Sequence, residues 1–284
     1  MSRIAYVNGR YLPHCDGMVH IEDRGYQFAD GVYEVTAVRN GRMIDSGMHL
    51  ERLGRSLSEL QIDMPMTPRA ILTVMEETAR RNRVRDGIVY TQVTRGVARR
   101  DHAFPRQVRP AVVMTAKSMD FAALARKAGD GVKVVSLTDI RWGRCDIKSV
   151  SLLPNCLAKQ EAKDRGAFEA WMVDAEGYVT EGSSTNAWIV DAEGRIVTRD
   201  VSPEILNGIT RRALLQLAAE AGTEIVERRF TLEEAKGARE AFLTSTTSFV
   251  MPVVEIDGQP VGNGAPGMLT ERLRRSYVEH ALAE

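Results

Sequence analysis

Apolar and polar residues fall along the chain in blocks, some alternating and some recurring at helical spacing. Residues 4–7, IAYV, run into Asn8–Gly9, and RYLP follows, which is a hairpin pattern. GVYEVTAVRNGRMID repeats that pattern around Asn40–Gly41. Leu50, Leu53, Leu57 and Leu60 alternate spacings of three and four and predict a helix over residues 47–62. Arg52 lies well off this stripe, so periodicity assigns it to solvent. Thr67–Pro68 is a helix start, and the helix after it keeps Ile71, Leu72, Val74, Met75, Thr78 and Ala79 mainly on one side. GIVYTQVTRG and PAVVMTAKS are β-rich and are expected to pair.

Residues 116–131, AKSMDFAALARKAGDG, combine a short polar segment with a Gly129–Gly131 break. They divide the chain into an N-terminal α+β domain at 1–118, a linker at 119–131 and a C-terminal domain at 132–284. VKVVSLTDI predicts a strand, and residues 155–165 a mostly polar helix. FEAWMVDAEGYVTE and NAWIVDAEGRIVT predict two hairpins whose DAEG turns, at 174–177 and 191–194, form a local echo too brief for a solenoid. A helix over 209–222 has Leu214, Leu217, Ala218 and Ala221 on one face. EAFLTSTTSFVMPVVEIDGQPV predicts strand, hydroxyl turn, strand and hairpin, and a helix at 268–282 closes the chain. Strands and helices do not alternate regularly, which argues for two α+β domains over a Rossmann arrangement.

Composition narrows the partners. Of 284 residues, 44% are hydrophobic and 27% charged, ordinary values for a globular chain. Lys+Arg and Asp+Glu balance at 38 each, so no global field points to nucleic acid or an anionic membrane, and small-molecule partners are favoured. No apolar run has the length of a membrane span, and MSRIAYVNGR has no apolar leader core, so no signal peptide is expected. Cys15, Cys145 and Cys156 are odd in number and lack CxxC spacing, which suggests reduced thiols in the cytoplasm and no structural metal.

Several residues could carry chemistry. Lys148, in CDIKSVSLLPN, stands just ahead of the apolar pair Leu152–Leu153, in a run that looks half buried. It is either a solvated amine at a strand end or an amine desolvated to attack a carbonyl. Glu181, in VTEGSSTN, is either a surface acid at a hairpin end or a carboxylate held against a pyridine nitrogen. NGIT, 207–210, opens a helix, and TSTT, 244–247, is a hydroxyl-rich turn; together they could donate to one phosphate ester. Arg100 and His102, in TRGVARRDHAFP, sit on a loop after a strand, where an arginine can pair with a carboxylate through two bonds.

EDRGYQFADGVYEV, HLERL, DIRWGRCDIKSVSLLPNCLAKQEA, VTEGSSTN, NGIT and TSTTS occur in one order from about Tyr6 to Gln259. Together they resemble the class IV aminotransferases, the two-domain α+β enzymes of fold type IV that use pyridoxal 5'-phosphate. RGYQFADGVYEV and RGVARRDHAFP are most similar to the D-amino-acid-specific branch. The resemblance implies amino-group transfer between a D-amino acid, such as D-alanine or D-glutamate, and 2-oxoglutarate or pyruvate. A branched-chain L-amino acid aminotransferase and an aminodeoxychorismate lyase share the fold and remain alternatives.

By the same resemblance, Lys148 forms the Schiff base with the cofactor aldehyde, and Glu181 pairs with the pyridine nitrogen in the C-terminal, cofactor-binding domain. Arg52, Ile209, Thr210, Ser245, Thr246 and Thr247 hold the phosphate, and Leu206 lies against the ring. Tyr33, Arg100 and His102 match the trap for the substrate carboxylate, which the family shares across a homodimer interface. Arg99 and Arg100 are adjacent here, so either could fill the arginine position; Arg100 stands two before His102. TAV at 36–38 and LLPNC at 152–156 depart from the D-specific pattern and leave the pocket's size open.

Overall fold

Asn8 and Gly9 both have positive φ, 47° and 93°, as do Asn40 and Gly41, 50° and 83°, in a computed structural model describing residues 3–283. This pattern matches the twist of the strands it joins, and Gly, Asn and Asp adopt it at the least cost. Met1, Ser2 and Glu284 lie outside the described residues, so the start of MSRIAYVNGR is not covered.

The first hairpin is β1 (Ile4–Val7) with β2 (Arg10–Pro13). A short helix α1 (Arg24–Phe28) leads into the second, β3 (Gly31–Arg39) with β4 (Arg42–Met43). Helices α2 (Ser46–Glu59) and α3 (Pro68–Arg81) follow, then β5 (Gly87–Thr94) and β6 (Ala111–Ser118). Thr67 caps α3, its side chain accepting from Ala70 N, as the Thr-Pro signal predicts. The six strands make one antiparallel sheet in the order β2-β1-β6-β5-β3-β4. Leu53, Leu57, Ile71 and Met75 of the helices close over Val32, Val89, Val93 and Met114 of the sheet.

Helix α4 (Phe121–Asp130) comes next, where the sequence suggests a linker at 119–131. Its apolar residues Leu124 and Ala128 pack into the second core, which makes a helix the lower-energy state despite Gly129. Beyond it run β7 (Val132–Thr138), α5 (Leu153–Asp164), β8 (Glu169–Val173), β9 (Val179–Gly182), β10 (Asn186–Val190) and β11 (Ile196–Thr198). Then follow α6 (Ile209–Glu220), β12 (Ile225–Glu227), α7 (Leu232–Lys236), β13 (Glu240–Ser245), β14 (Phe249–Ile256), β15 (Gln259–Pro260) and α8 (Met268–Ala283). The strands of this half form a mixed sheet in the order β12-β11-β10-β13-β14-β7-β8-β9, with β15 on β14. Trp171, Phe230, Leu243 and Met251 fill its core.

The chain therefore has two units. One gathers the residues up to Phe121 together with Ile147–Ser151; the other gathers Ala122–Asp146 and Leu152–Ala283. The five residues around Lys148 thus leave the second half of the sequence and belong to the first unit, where Ile147 joins the core. Among the described residues, no helix is long and apolar enough to cross a membrane.

Candidate functional site

Strand β3 organises the candidates in the first unit. Lys148 O accepts from Tyr33 N at 3.0 Å, Val150 N donates to Gly31 O at 3.0 Å, and Ser149 bridges Val32. This short antiparallel pairing holds the lysine backbone, and Lys148 N also donates to Ser56 Oγ of α2 at 3.3 Å. The flanking Ile147 and Ser149 are buried, while Lys148 is half exposed, its Nζ lying 4.2 Å from the centre of the Tyr33 ring. Leu153 is 70% exposed, so the apolar pair after Lys148 does not bury the lysine as the sequence suggests. Tyr33 stacks on Tyr90, whose hydroxyl burial pushes up to about 12.

Arg52 is 6% exposed, against its assignment to solvent. Its Nε and Nη2 meet Glu34 Oε1 and Oε2 at 2.7 and 2.8 Å, and His49 Nδ1 bonds to Oε2 at 2.7 Å. The leucine stripe is the α2 face that meets apolar side chains; Arg52 is buried beside it because a strand carboxylate receives its charge. Sequence reasoning misses Glu34 and His49. The available signal is an acid on the face of β3 that also carries Val32, Thr36 and Val38.

Arg100 and His102 lie on an exposed irregular loop, and both touch one ring. The Arg100 guanidinium sits 4.8 Å from the Phe28 centre, and the His102 ring 5.4 Å from it.

The second unit collects the other candidates at one end of its sheet. Glu181 is the last residue but one of β9 and is 6% exposed. Its carboxylate accepts from Leu206 N at 3.1 Å, from Asn186 Nδ2 at 3.1 Å and from Arg141 Nη1. The Ser-Ser turn after it is tied down by Ser183 and Ser184, which donate to the buried Glu169. Asn186 registers with Thr244, two residues before Thr246, and Asn186 Nδ2 also donates to Leu206 O at 2.8 Å. Leu206 is half buried, whereas Ile209 and Thr210 are buried at the start of α6, which packs on β13. No side chain caps that helix at Gly208. Ser245 ends β13 and Thr246 and Thr247 begin the turn after it, all three half buried, with Ser245 and Thr247 hydroxyls 3.3 Å apart.

Sequence reasoning misses Arg141 as well. It is buried between Glu181 and Asp139, donating to Asp139 Oδ2 at 2.7 Å and to Glu204 O at 3.0 Å. Burial alone would lower its pKa; the two carboxylates outweigh that and raise it. The alternation of acids and arginines in DIRWGRCD is the visible hint, and pairing them needs the fold.

This donor set suits a phosphate ester carried on a pyridine ring. N–H groups without a side-chain cap at a twelve-residue helix, and the hydroxyls that follow the strand on which it packs, are anion donors, and the fixed Glu181 carboxylate can face a ring nitrogen.

Residues 31–256 match the family described as amino-transferase class IV. A D-alanine aminotransferase of Bacillus licheniformis is 41% identical over 277 residues, covering 98% of this chain and 96% of that protein. One of Staphylococcus haemolyticus is 39% identical, covering 97% and 96%. Among solved structures, the branched-chain aminotransferase from the thermophilic archaeon Thermoproteus uzoniensis with norvaline superposes with a TM-score of 0.88 at 26% identity, covering 100% of this chain and 96% of that one. The chain belongs to the class IV aminotransferases, pyridoxal-phosphate enzymes of fold type IV.

Proposed function

We propose that the chain transfers the amino group between a D-amino acid, D-alanine first among them, and a 2-oxo acid. The observation that carries this reading is that Arg100 and His102 pack on the same Phe28 ring, which would let an arginine and a histidine serve one carboxylate. The identity of the D-alanine aminotransferases over nearly their whole length supports it. That Arg100 shares the ring with His102 also favours it over Arg99 for the carboxylate.

Bound pyridoxal phosphate supplies the electron sink for a carbanion at the substrate α-carbon. Lys148 would hold the cofactor through its aldehyde and would move the α-proton; a positioned base of this kind contributes about 10²–10⁴-fold. Glu181 would accept a hydrogen bond from the ring nitrogen. Arg52, Ile209, Thr210, Ser245, Thr246 and Thr247 would hold the phosphate, with Leu206 against the ring. Tyr33, Arg100 and His102 would hold the α-carboxylate and so select the D enantiomer for proton removal by Lys148.

The active unit is a homodimer sharing the trap. Met18, Val19, Ile21 and Tyr26 are each at least half exposed within one short segment, an apolar surface that a second copy would cover. Sedimentation at micromolar concentration should give twice the mass of the chain. The cytoplasm suits the unpaired Cys15, Cys145 and Cys156.

The test is a visible spectrum of the purified protein with separate additions of D-alanine and L-leucine. A yellow protein bleached by D-alanine and indifferent to L-leucine is expected, and Lys148→Ala should abolish bleaching. Bleaching by L-leucine alone would move the protein to the branched-chain side. A protein that stays colourless with added cofactor would end the enzymatic reading.

A further inference from the structure

Helix α1 carries a buried arginine that the proposed chemistry leaves unused. Arg24 is 3% exposed, and every arm of its guanidinium is engaged. Nε donates to Asp30 Oδ2 at 2.7 Å, Nη1 to Asp101 O at 2.5 Å and Nη2 to His102 O at 3.4 Å. Two of the three bonds therefore end on the loop that bears Arg100 and His102, at the carbonyls of Asp101 and His102 themselves. Four residues along the same helix, Phe28 offers the ring against which Arg100 and His102 rest.

The anchor behind Arg24 is equally well built. Asp30 also accepts from Arg95 Nε at 2.7 Å and Nη2 at 3.0 Å. Arg95 is 4% exposed and donates further to Leu60 O and Gln61 O, just past the end of α2, at 2.6 and 2.9 Å. Its guanidinium lies 3.6 Å from the centre of the Phe104 ring, further along the same loop. Burying two arginines around one carboxylate is a poor route to stability, and in some proteins such clusters are retained for conformational specificity where a geometry has to be held. The geometry held here is that of a loop with no strand or helix of its own between Val97 and Arg109.

We infer that Arg24, held by Asp30, is a positioning residue for recognition of the substrate carboxylate: it sets the backbone at Asp101–His102 and so aims Arg100 and His102. This rests on the reading of Arg100 and His102 as the carboxylate trap. Arg24 itself does not touch substrate. Its loss should weaken carboxylate binding and spare the cofactor, whose expected holders lie on other elements.

The experiment compares the holoenzyme with Arg24→Gln, Arg24→Lys and Arg100→Gln. It measures KM and kcat for D-alanine, the visible band of the bound cofactor, and amide exchange over residues 99–104. Arg24→Gln should raise KM about 10–100-fold, the effect of misplacing binding groups by about an ångström, with kcat at saturation changed much less. The cofactor band should stay, and faster exchange should be confined to 99–104. Arg24→Lys keeps a charge against Asp30 without the fork to the two carbonyls and should fall between; it carries the same test if the glutamine variant does not fold. An unchanged KM in the Arg24 variants beside a raised KM in Arg100→Gln overturns the inference alone. An unchanged KM in Arg100→Gln removes the trap reading and the inference together. Loss of cofactor in parallel with KM would make Arg24 a general structural residue and overturn the positioning role.

Discussion

Arg141 and Glu181 form a buried ion pair, and the same guanidinium reaches Asp139 Oδ2 at 2.7 Å, so one cation serves two carboxylates. The side chains of Arg141, Glu181 and Asp139 are 4%, 8% and 12% exposed. Removing the cation strands both acids in a place where water cannot replace it. Arg141→Met should therefore destabilise the protein by about 3–5 kcal/mol, measured by urea unfolding. Arg141→Lys keeps the charge and loses the fork, and should cost less. A change below about 1 kcal/mol in Arg141→Met would mean that the two carboxylates relax into solvent.

The Glu34–His49–Arg52 cluster predicts how stability responds to acid. Burial would raise the Glu34 carboxyl, but the Arg52 charge and the bonds from Arg52 and His49 hold it well below its ordinary range. Burial lowers the His49 imidazole, and the Arg52 charge adds to that, against the pull of Glu34 and Asp45. Both folded values are depressed, so both groups contribute stability that is full above their unfolded values, 4.5 and 6.5, and fades as pH falls. Urea midpoints should hold steady above about pH 6.5, decline below it as the unfolded histidine takes a proton, and decline more steeply below about pH 4.5. His49→Gln should remove the first decline and leave the second. A midpoint that rises on acidification would contradict the buried, ionised Glu34.

Local rules recover the hairpins and most helices because their causes are local. Asn8–Gly9 and Asn40–Gly41 need positive φ, Thr67 supplies its own cap, and Leu53 and Leu57 repeat at helical spacing. The candidate site is legible only through its ordered motifs. Arg52 looks solvated on its helix because its partner, Glu34, lies eighteen residues earlier on a strand. Lys148 owes its place to a backbone pairing with β3, more than a hundred residues away, and not to the leucines beside it. α4 looks like a linker because its few apolar side chains meet their core only after the sheet forms. Arg24, Arg141 and Asn186 resemble ordinary polar residues until the acids and carbonyls around them are assembled.

Cysteine reactivity should separate by burial. Cys15 and Cys156 are exposed, whereas the Cys145 thiol is pushed up to about 12 by burial, with Glu181 and Asp139 adding to the rise and Arg141 opposing it. Cys145 Sγ also donates to Trp142 O at 3.1 Å. Only the thiolate is a nucleophile, so iodoacetamide near pH 8 should label Cys15 and Cys156 first and Cys145 last in the native protein. Peptide mass mapping over time checks the order. Early labelling of Cys145 would place it in open solvent. In Arg141→Met, where the stabilising cation is gone, its labelling should not accelerate unless the segment unfolds.

Gly208 and Asn186 should prove coupled. A Cβ on Gly208 would lie 2.1 Å from Asn186 Oδ1, and φ at Gly208 is −61°, so backbone strain plays no part. Elsewhere, replacing glycine by alanine at a compatible φ stabilises by about 0.4–1 kcal/mol through the unfolded chain. Here the methyl must push the Asn186 amide aside and break its bonds to Glu181 and Leu206 O, so Gly208→Ala should destabilise by about 1–2 kcal/mol. In an Asn186→Ala background the obstacle is absent and the bonds are already lost, so the same change should be neutral or stabilising. The double-mutant cycle should then give a coupling of at least about 1 kcal/mol by urea unfolding. Additive effects would mean that the amide turns away without losing its hold on Glu181, and that the tight approach at Gly208 matters only to the start of α6.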